Sequence, residues 1–203
     1  SKIEVVISAS NQNFDKETTT KTGLENLDVL NGVDLQSEEI AWITGSDVNF
    51  CAQAFPTVGY DHPDAPILTV LGAVLRNGFL HSAIREKGGA YGSGAQQDSA
   101  SRSFRFFSYR DPNCMETFNA FNESIEWSLK SINSEKLEEG ILGVISSIDK
   151  PGSPAGEARA DFNQNIRGID QSKRKIFRSR VINCSVERLV EVSNKYLTGE
   201  PKR

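Results

Sequence analysis

The apolar residues of this chain change their spacing partway along the sequence. Before about residue 110, short β-branched or aromatic stretches alternate with polar residues, as in Lys2–Ile7 and Phe104–Tyr109, which is typical of strands. Beyond Asp111-Pro112-Asn113, where a turn is predicted, apolar residues recur every three or four positions, which is the period of amphipathic helices. Strands followed by a run of helices favour an α+β domain.

Further elements are predicted in the first half of the chain. Alternating residues between Ile40 and Phe55 flank Gly45-Ser46-Asp47, so a hairpin is predicted there, and Pro56 would end it. A short helix is predicted from the spacing of Leu24, Leu27 and Leu30.

A broad apolar stripe over residues 67–75 predicts a helix that faces the core. Asp64 is the predicted N-cap, with Pro66 tolerated in the first turn. Asn77-Gly78 is predicted to break this helix. A shorter helical piece would then carry Leu80, Ile84 and, at its end, Arg85.

The last ninety or so residues are predicted to be helical. Ser153 is a candidate cap with Pro154 in the first helical position, and Phe162 and Ile166 are predicted to turn that helix inward. The other predicted helices are those with apolar stripes over 118–129 and 137–148, and two more capped by Ser172 and Ser185, the last stopping at Gly199.

Composition excludes several classes of protein. With 23 basic and 27 acidic residues the net charge is −4 and the pI is about 5.3, so a large basic face for nucleic acid is not expected. No apolar run approaches the roughly 20 residues of a membrane span. The 203 residues are predicted to form one domain. Three widely spaced cysteines disfavour a disulfide framework and favour a reducing compartment.

The chain contains two histidines, His62 and His81, and no CxxC, HxxxH or HxxEH motif. A self-contained zinc site is therefore hard to build. His62 is predicted to be a surface or capping residue, and His81 a packed or hydrogen-bonded one. No nucleophile–histidine–carboxylate triad can be assembled from the sequence. The basic run Lys173-Arg174-Lys175 is predicted to be a solvated helix face, with an anionic partner as the alternative.

The glycine-rich stretch Gly88–Gly94 allows two interpretations. Phosphate binding is disfavoured because Ala95 stands where a P-loop needs lysine and because a strand is predicted to follow. The structural interpretation is that the glycines allow close backbone approach, that Tyr91 is a half-buried strand residue and that Arg85 faces the helix carbonyls.

Two long motifs carry a family resemblance. Leu80-His81-x-x-Ile84-Arg85-Glu86-Lys87-Gly88-Gly89-Ala90-Tyr91-Gly92 and Ser108-Tyr109-Arg110-Asp111-Pro112-Asn113, together with His62-Pro63-Asp64-Ala65-Pro66, resemble the fourth domain of presequence proteases. These are zinc metallopeptidases of the pitrilysin/insulinase family, in the subgroup that includes falcilysin. The resemblance covers nearly the whole chain. It implies a mostly antiparallel sheet with helices packed on one face, in a pitrilysin-type metallopeptidase domain.

The resemblance implies that residues 1–203 are a single C-terminal domain without the zinc site. The family's HxxEH motif binds the zinc ion whose water attacks the scissile carbonyl, and this motif belongs to the N-terminal half. No cofactor is therefore expected on this chain. The implied partners are peptide substrates and the remaining domains of the same peptidase, with no nucleic acid and no membrane. Family members occur in mitochondria, plastids, parasite vacuoles and bacteria.

Arg85 and Tyr91 match the arginine–tyrosine pair of the family's last domain, with the spacing R-x₅-Y. The resemblance implies that the Tyr91 hydroxyl stabilises the developing oxyanion and that Arg85 binds a substrate carbonyl or carboxylate. Gly88 and Gly89 would let the loop bring Tyr91 over the substrate. The chain alone is expected to be inactive. The alternative is a catalytically inactive half, or a subunit of a processing-peptidase-like assembly, that only shapes the chamber.

Overall fold

The computed structural model describes residues 40–43 and 45–199. The predicted strand Lys2–Ile7, the predicted helix with Leu24, Leu27 and Leu30, and Thr44 of the predicted hairpin lie outside these residues. The described elements, in chain order, are β1 (Asn49–Pro56), α1 (Asp64–Leu75), a π-helical segment that continues α1 (Arg76–Lys87), β2 (Gly92–Asp98), β3 (Ser103–Asp111), α2 (Met115–Lys130), α3 (Ser134–Ile148), α4 (Pro154–Ile166), α5 (Gln171–Ile182) and α6 (Val186–Leu197). The predicted α+β class is confirmed.

The described strands form an antiparallel sheet in the order β1-β3-β2, with the predicted strand Phe104–Tyr109 inside β3 at its centre. Alternate residues of β3 are buried, because successive side chains of a strand point to opposite faces. Phe104 and Phe106 are fully buried on one face, where Phe106 contacts Phe121 of α2 with ring centroids 5.5 Å apart. The helices pack on this face, and Phe107 and Tyr109 lie on the other, which we call the open face.

The predicted hairpin between Ile40 and Phe55 is wrong. Ile40 and Trp42 are exposed and are not part of a strand, and β1 begins only at Asn49. Alternation defines a two-faced segment but not its partner, and β1 pairs with β3 instead. The prediction that Pro56 ends the strand is confirmed.

Helix α1 is the core helix, and its apolar stripe is buried as predicted. Its N-cap is Pro63 rather than Asp64, which is the first helical residue. The Asp64 carboxylate cannot turn back to cap the helix because it binds side chains of α6. His62 meets its predicted capping role, since its Nδ1 accepts a hydrogen bond of 3.1 Å from the Asp64 amide.

Asn77-Gly78 does not end the helix as predicted. The chain continues to Lys87 as a π-helix, which buries Leu80 and Ile84. Gly78 has a packing role, because a Cβ there would lie 2.6 Å from the ring of Trp127 in α2. Asp64–Lys87 is long enough to cross a membrane, and an 18-residue window within it has a mean hydropathy of 1.4, but half of that window is buried in the domain, as in a core helix.

Two of the N-caps predicted in the C-terminal half of the chain are confirmed. The Ser153 hydroxyl accepts a hydrogen bond from the Gly156 amide and Pro154 follows it, and Ser185 caps α6. The predicted cap at Ser172 is wrong, because Asp170 stands two residues earlier and accepts a hydrogen bond of 2.8 Å from the Lys173 amide.

The prediction that Phe162 and Ile166 point inward is also wrong, because both are exposed on α4. Their spacing defines an apolar face but not what covers it. In the neighbouring basic run, Lys173 pairs with Asp61 and Arg174 with Asp161 on the surface. These pairs agree with the predicted solvated face.

Candidate functional site

The turn between the π-helical segment and β2 carries the residues singled out in the sequence. Leu80 and Ile84 are buried, so the opposite side of this last helical stretch, with Arg85, faces solvent. Gly89 adopts a left-handed φ of +79° and its amide donates a hydrogen bond of 3.1 Å to the Arg85 carbonyl. This is an αL helix termination, for which glycine is favoured because it has no Cβ.

The neighbouring Gly88 is needed for a different reason. A Cβ at this position would lie 2.6 Å from the carbonyl oxygen of Ile84, which is too close for any other residue without a shift of the backbone. The Gly88 carbonyl accepts a hydrogen bond of 2.7 Å from Nδ2 of Asn113. The helix end is thereby fixed to the segment that follows β3.

That segment is itself held by a buried carboxylate. Oδ1 of Asp111 accepts a hydrogen bond of 2.9 Å from the Asn113 amide, and Oδ2 accepts one of 2.8 Å from the Thr117 hydroxyl at the start of α2. Asn49 of β1 donates to the carbonyls of Asp111 and Asn113 at 3.1 and 3.4 Å. The sequence indicated only a turn here, whereas the structure has a hydrogen-bonded support for the Gly88 turn.

Tyr91 lies just before β2 and has 63 % of its surface exposed. It is therefore not the half-buried strand residue of the structural interpretation. Its amide donates a hydrogen bond of 3.2 Å to the Arg110 carbonyl. Its ring centroid lies 5.6 Å from that of Tyr109 and 5.5 Å from the guanidinium carbon of Arg110. The backbone of Tyr91 is thus fixed by a hydrogen bond, while its phenol is exposed to solvent.

Glycines of β2 allow aromatic rings of β3 to lie across the open face. Gly92 is opposite Tyr109, and a Cβ at Gly92 would lie 2.4 Å from that ring. Gly94 is opposite Phe107, where the corresponding distance is 2.7 Å. The sequence interpretation that these glycines permit close approach beside a strand agrees with this geometry. Since β2 follows the loop, no helix N-terminus faces an anion there, which disfavours phosphate binding.

Arg85 is exposed, and its Nη1 lies 3.3 Å from Nε2 of His81. His81 is thus hydrogen-bonded, as predicted, and its Nδ1 lies 3.5 Å from Oε1 of Glu86. Within residues 40–43 and 45–199, Arg85 has no carboxylate partner and makes no hydrogen bond or cation–π contact with Tyr91. The structure brings Arg85, Gly88, Gly89 and Tyr91 to one turn without pairing the two side chains.

The exposed side chains of the turn suit hydrogen bonding to oxygen rather than metal binding. The Arg85 guanidinium and the Tyr91 phenol, six positions apart in the chain, are both exposed, and both groups can donate hydrogen bonds to oxygen. In the described part of the chain no three His, Cys, Asp or Glu side chains are grouped to hold a metal ion, so these residues do not fit a zinc site. Tyr109, Arg110 and Asn113 contact the turn in the structure, but the sequence shows them only as part of a motif, because contacts across the turn leave no sequence pattern.

Comparison with known proteins agrees with this fold. The family described as the PreP C-terminal domain matches residues 44–198. The mitochondrial presequence protease of Danio rerio is 35 % identical over 152 residues, which cover 74 % of this chain and 14 % of that protein. The one from Drosophila melanogaster is 38 % identical over 162 residues, covering 78 % and 15 %. The matched part of the chain thus spans 14–15 % of the length of these curated relatives.

Two solved structures with the same fold carry the names of peptidases. A protease from Helicobacter pylori superposes with a TM-score of 0.66 at 18 % identity, over 76 % of this chain and 39 % of that one. Pitrilysin superposes with a TM-score of 0.55 at 17 % identity, over 75 % and 18 %. At these identities the similarity shows the pitrilysin-type fold alone. The match over most of the chain shows the family: the chain belongs to the PreP C-terminal domains.

Proposed function

We propose that this chain, as a single C-terminal domain without a zinc site, serves a larger zinc-dependent metalloendopeptidase that degrades short unstructured peptides. Arg85 and Tyr91 are its substrate-contacting residues. The observation that carries the proposal is the turn itself. It is fixed by a hydrogen bond that it donates to β3 and by one that it accepts from Asn113, yet it leaves Arg85 and Tyr91 exposed. The relatives that bear the name presequence protease support the same activity.

Tyr91 is proposed to act at the transition state. Peptide-bond hydrolysis places negative charge on the former carbonyl oxygen, and a fixed donor stabilises that charge more than it stabilises the substrate. The Tyr91 amide is bound to Arg110 and its ring lies against Tyr109, so the hydroxyl is preorganised. In this role the phenol donates its proton in a hydrogen bond and does not transfer it.

Arg85 is proposed to bind a carbonyl or carboxylate of the peptide. Its guanidinium presents several N–H donors in a fixed plane, of which His81 contacts one nitrogen. Gly88 and Gly89 are proposed to contribute to substrate binding through the backbone, by allowing the chain to turn sharply between the two side chains. A bulkier residue at either position would move Tyr91 relative to Arg85.

The open face of the sheet supports a peptide as the substrate. Next to the aromatic rings it holds a cavity of about 510 Å³ whose lining includes Ala52, Ala54 and Phe107. Such apolar lining suits side chains of an unfolded peptide, since concave sites that bind ligands are mostly apolar with a few polar groups. The zinc ion itself is proposed to belong to the N-terminal half of the parent enzyme.

The alternative function is an inactive half that only binds substrate or shapes a chamber. It differs from the proposal in one property, because Arg85 and Tyr91 would then not affect turnover. It would also leave room for the zinc motif to be carried by a partner subunit.

The experiment compares two neighbouring cations in the intact peptidase that carries this domain. Arg85→Ala is expected to lower kcat/KM by about tenfold to a hundredfold at unchanged zinc content, because a charge-assisted contact to the peptide is lost. Lys87→Ala removes an exposed cation two residues away and should leave kcat/KM unchanged. Wild-type kinetics for Arg85→Ala would favour the inactive-half alternative.

A further inference from the structure

Arg110 has a backbone conformation that its residue type does not favour. Its φ is +50°, in the left-handed region where a side chain is strained. Asn49 pairs with Asp111 and Phe50 with Tyr109, so Arg110 is the extra residue of a β-bulge in β3. Bulges redirect side chains, and retained strain at a surface position suggests a functional constraint.

Both the main chain and the side chain of Arg110 contact Tyr91. Its carbonyl accepts the hydrogen bond of 3.2 Å from the Tyr91 amide, and its guanidinium carbon lies 5.5 Å from the centre of the Tyr91 ring. That distance is within the range of a cation–π contact. In the described part of the chain the Arg110 guanidinium has no carboxylate partner, so its contact is the ring.

The core cannot hold the Tyr91 ring, because 63 % of the residue is exposed. Among the residues that the structure describes, the Arg110 guanidinium and the Tyr109 ring lie beside it. We propose that Arg110 is a positioning residue, which the bulge turns toward Tyr91 so that the phenol keeps one orientation over the peptide. This inference rests on the proposed function, since it assigns to Arg110 an effect on turnover that acts through Tyr91.

The test replaces Arg110 by glycine in the intact peptidase. Glycine adopts a φ of +50° without steric strain, so Arg110→Gly keeps the bulge and the carbonyl acceptor and removes only the side chain. We expect kcat to fall about threefold to tenfold with KM within about twofold, because a less ordered phenol weakens transition-state stabilisation more than binding. Arg110→Lys retains the cation and is expected to recover most of kcat.

The chain offers a matched control in Arg102, a second arginine with a φ of +52°. It lies in the turn between β2 and β3, at the opposite end of β3 from Arg110. Arg102→Gly relieves the same strain and removes the same charge, and it is expected to leave kcat unchanged. An equal fall in kcat for both glycine variants would overturn the inference.

A double variant separates the inference from the proposed function. In the Tyr91→Phe background, Arg110→Gly is expected to change kcat by less than about twofold, because residues that act as a unit are not additive. A full additional loss, or an unchanged kcat for Arg110→Gly alone while Tyr91→Phe is impaired, would refute positioning by Arg110 and leave the proposed function standing. Unchanged kinetics for Tyr91→Phe itself would refute both.

Discussion

Asp64 at the start of α1 accepts a hydrogen bond of 2.7 Å from Nη2 of Arg188 in α6. The other oxygen of the same carboxylate accepts hydrogen bonds from Lys195 and Tyr196, at 2.9 and 2.8 Å. The Asp64 side chain is only 7 % exposed, so these three donors replace the water that it loses on folding. The contacts join the core helix to the last helix of the chain.

Asp64→Asn is expected to lower the free energy of unfolding by about 2–3 kcal/mol, because a buried acceptor of three donors loses its charge. Urea denaturation measures the change. Asp61→Asn is the matched control, since the exposed Asp61 pairs with Lys173 at 2.9 Å. Its loss should stay below about 1 kcal/mol. Equal losses for the two variants would show that burial of Asp64 does not strengthen its contacts.

The pKa of the Asp64 carboxyl makes the stability of the fold depend on pH. Burial raises its pKa, but the hydrogen bonds from Lys195 and Tyr196 outweigh burial, so the pKa lies below the ordinary value in the folded chain. The unfolded chain therefore takes up this proton at higher pH than the folded chain. The stabilisation is complete above the ordinary pKa of about 3.9 and is lost as the pH falls through the folded pKa.

Thermal denaturation of wild type and Asp64→Asn between about pH 2 and pH 6 checks this sign. The difference in Tm is expected to be largest near neutral pH and to shrink as the pH is lowered. A difference that stays constant into acid would mean that Asp64 does not titrate as described.

Gly89→Ala and Gly143→Ala are expected to change stability in opposite directions. Gly89 has a φ of +79°, and alanine there costs about 1–2 kcal/mol, because its Cβ approaches the following carbonyl. Gly143 lies inside α3, and a Cβ at that position has no atom within 4 Å. Alanine there should stabilise the chain by about 0.5–1 kcal/mol. Urea denaturation that gave the same sign for both would contradict the helix termination at Gly89.

The three thiols are expected to differ in reactivity. Burial raises the pKa of Cys51 to about 11 and that of Cys184 to about 12, whereas Cys114 is exposed. Because the thiolate is the reactive form, iodoacetamide at about pH 8 should alkylate Cys114 in the folded protein and the other two only in urea. Peptide mass spectrometry identifies the modified residues. Rapid alkylation of Cys51 in the folded protein would contradict its burial.

The features that the sequence predicts correctly depend on neighbouring residues. Ser153 followed by Pro154 specifies a helix start, and alternation over Phe104–Tyr109 specifies a strand. In both cases the deciding chemistry lies within a few positions. The class of the domain follows from such local signals because their order along the chain separates strands from helices.

The features that the sequence misses depend on distant residues. Aspartate is a residue type common at N-caps, but the Asp64 carboxylate binds Arg188, which is 124 positions away in the chain. Arginine is not typical of a left-handed position in a bulge. The contact that Arg110 makes with Tyr91 is therefore visible only in the structure. The family resemblance singles out Arg85 and Tyr91, whereas the local sequence pattern favours a structural role for both.

The most direct test of the central claim is kcat/KM of the intact peptidase with Tyr91→Phe, at zinc content equal to wild type. Loss of one fixed donor to the oxyanion is expected to lower kcat/KM by about a hundredfold or more. Tyr60→Phe removes a hydroxyl from a ring stacked on Phe177 and should leave the value unchanged. A Tyr91→Phe enzyme as active as wild type would contradict the role of this turn in turnover.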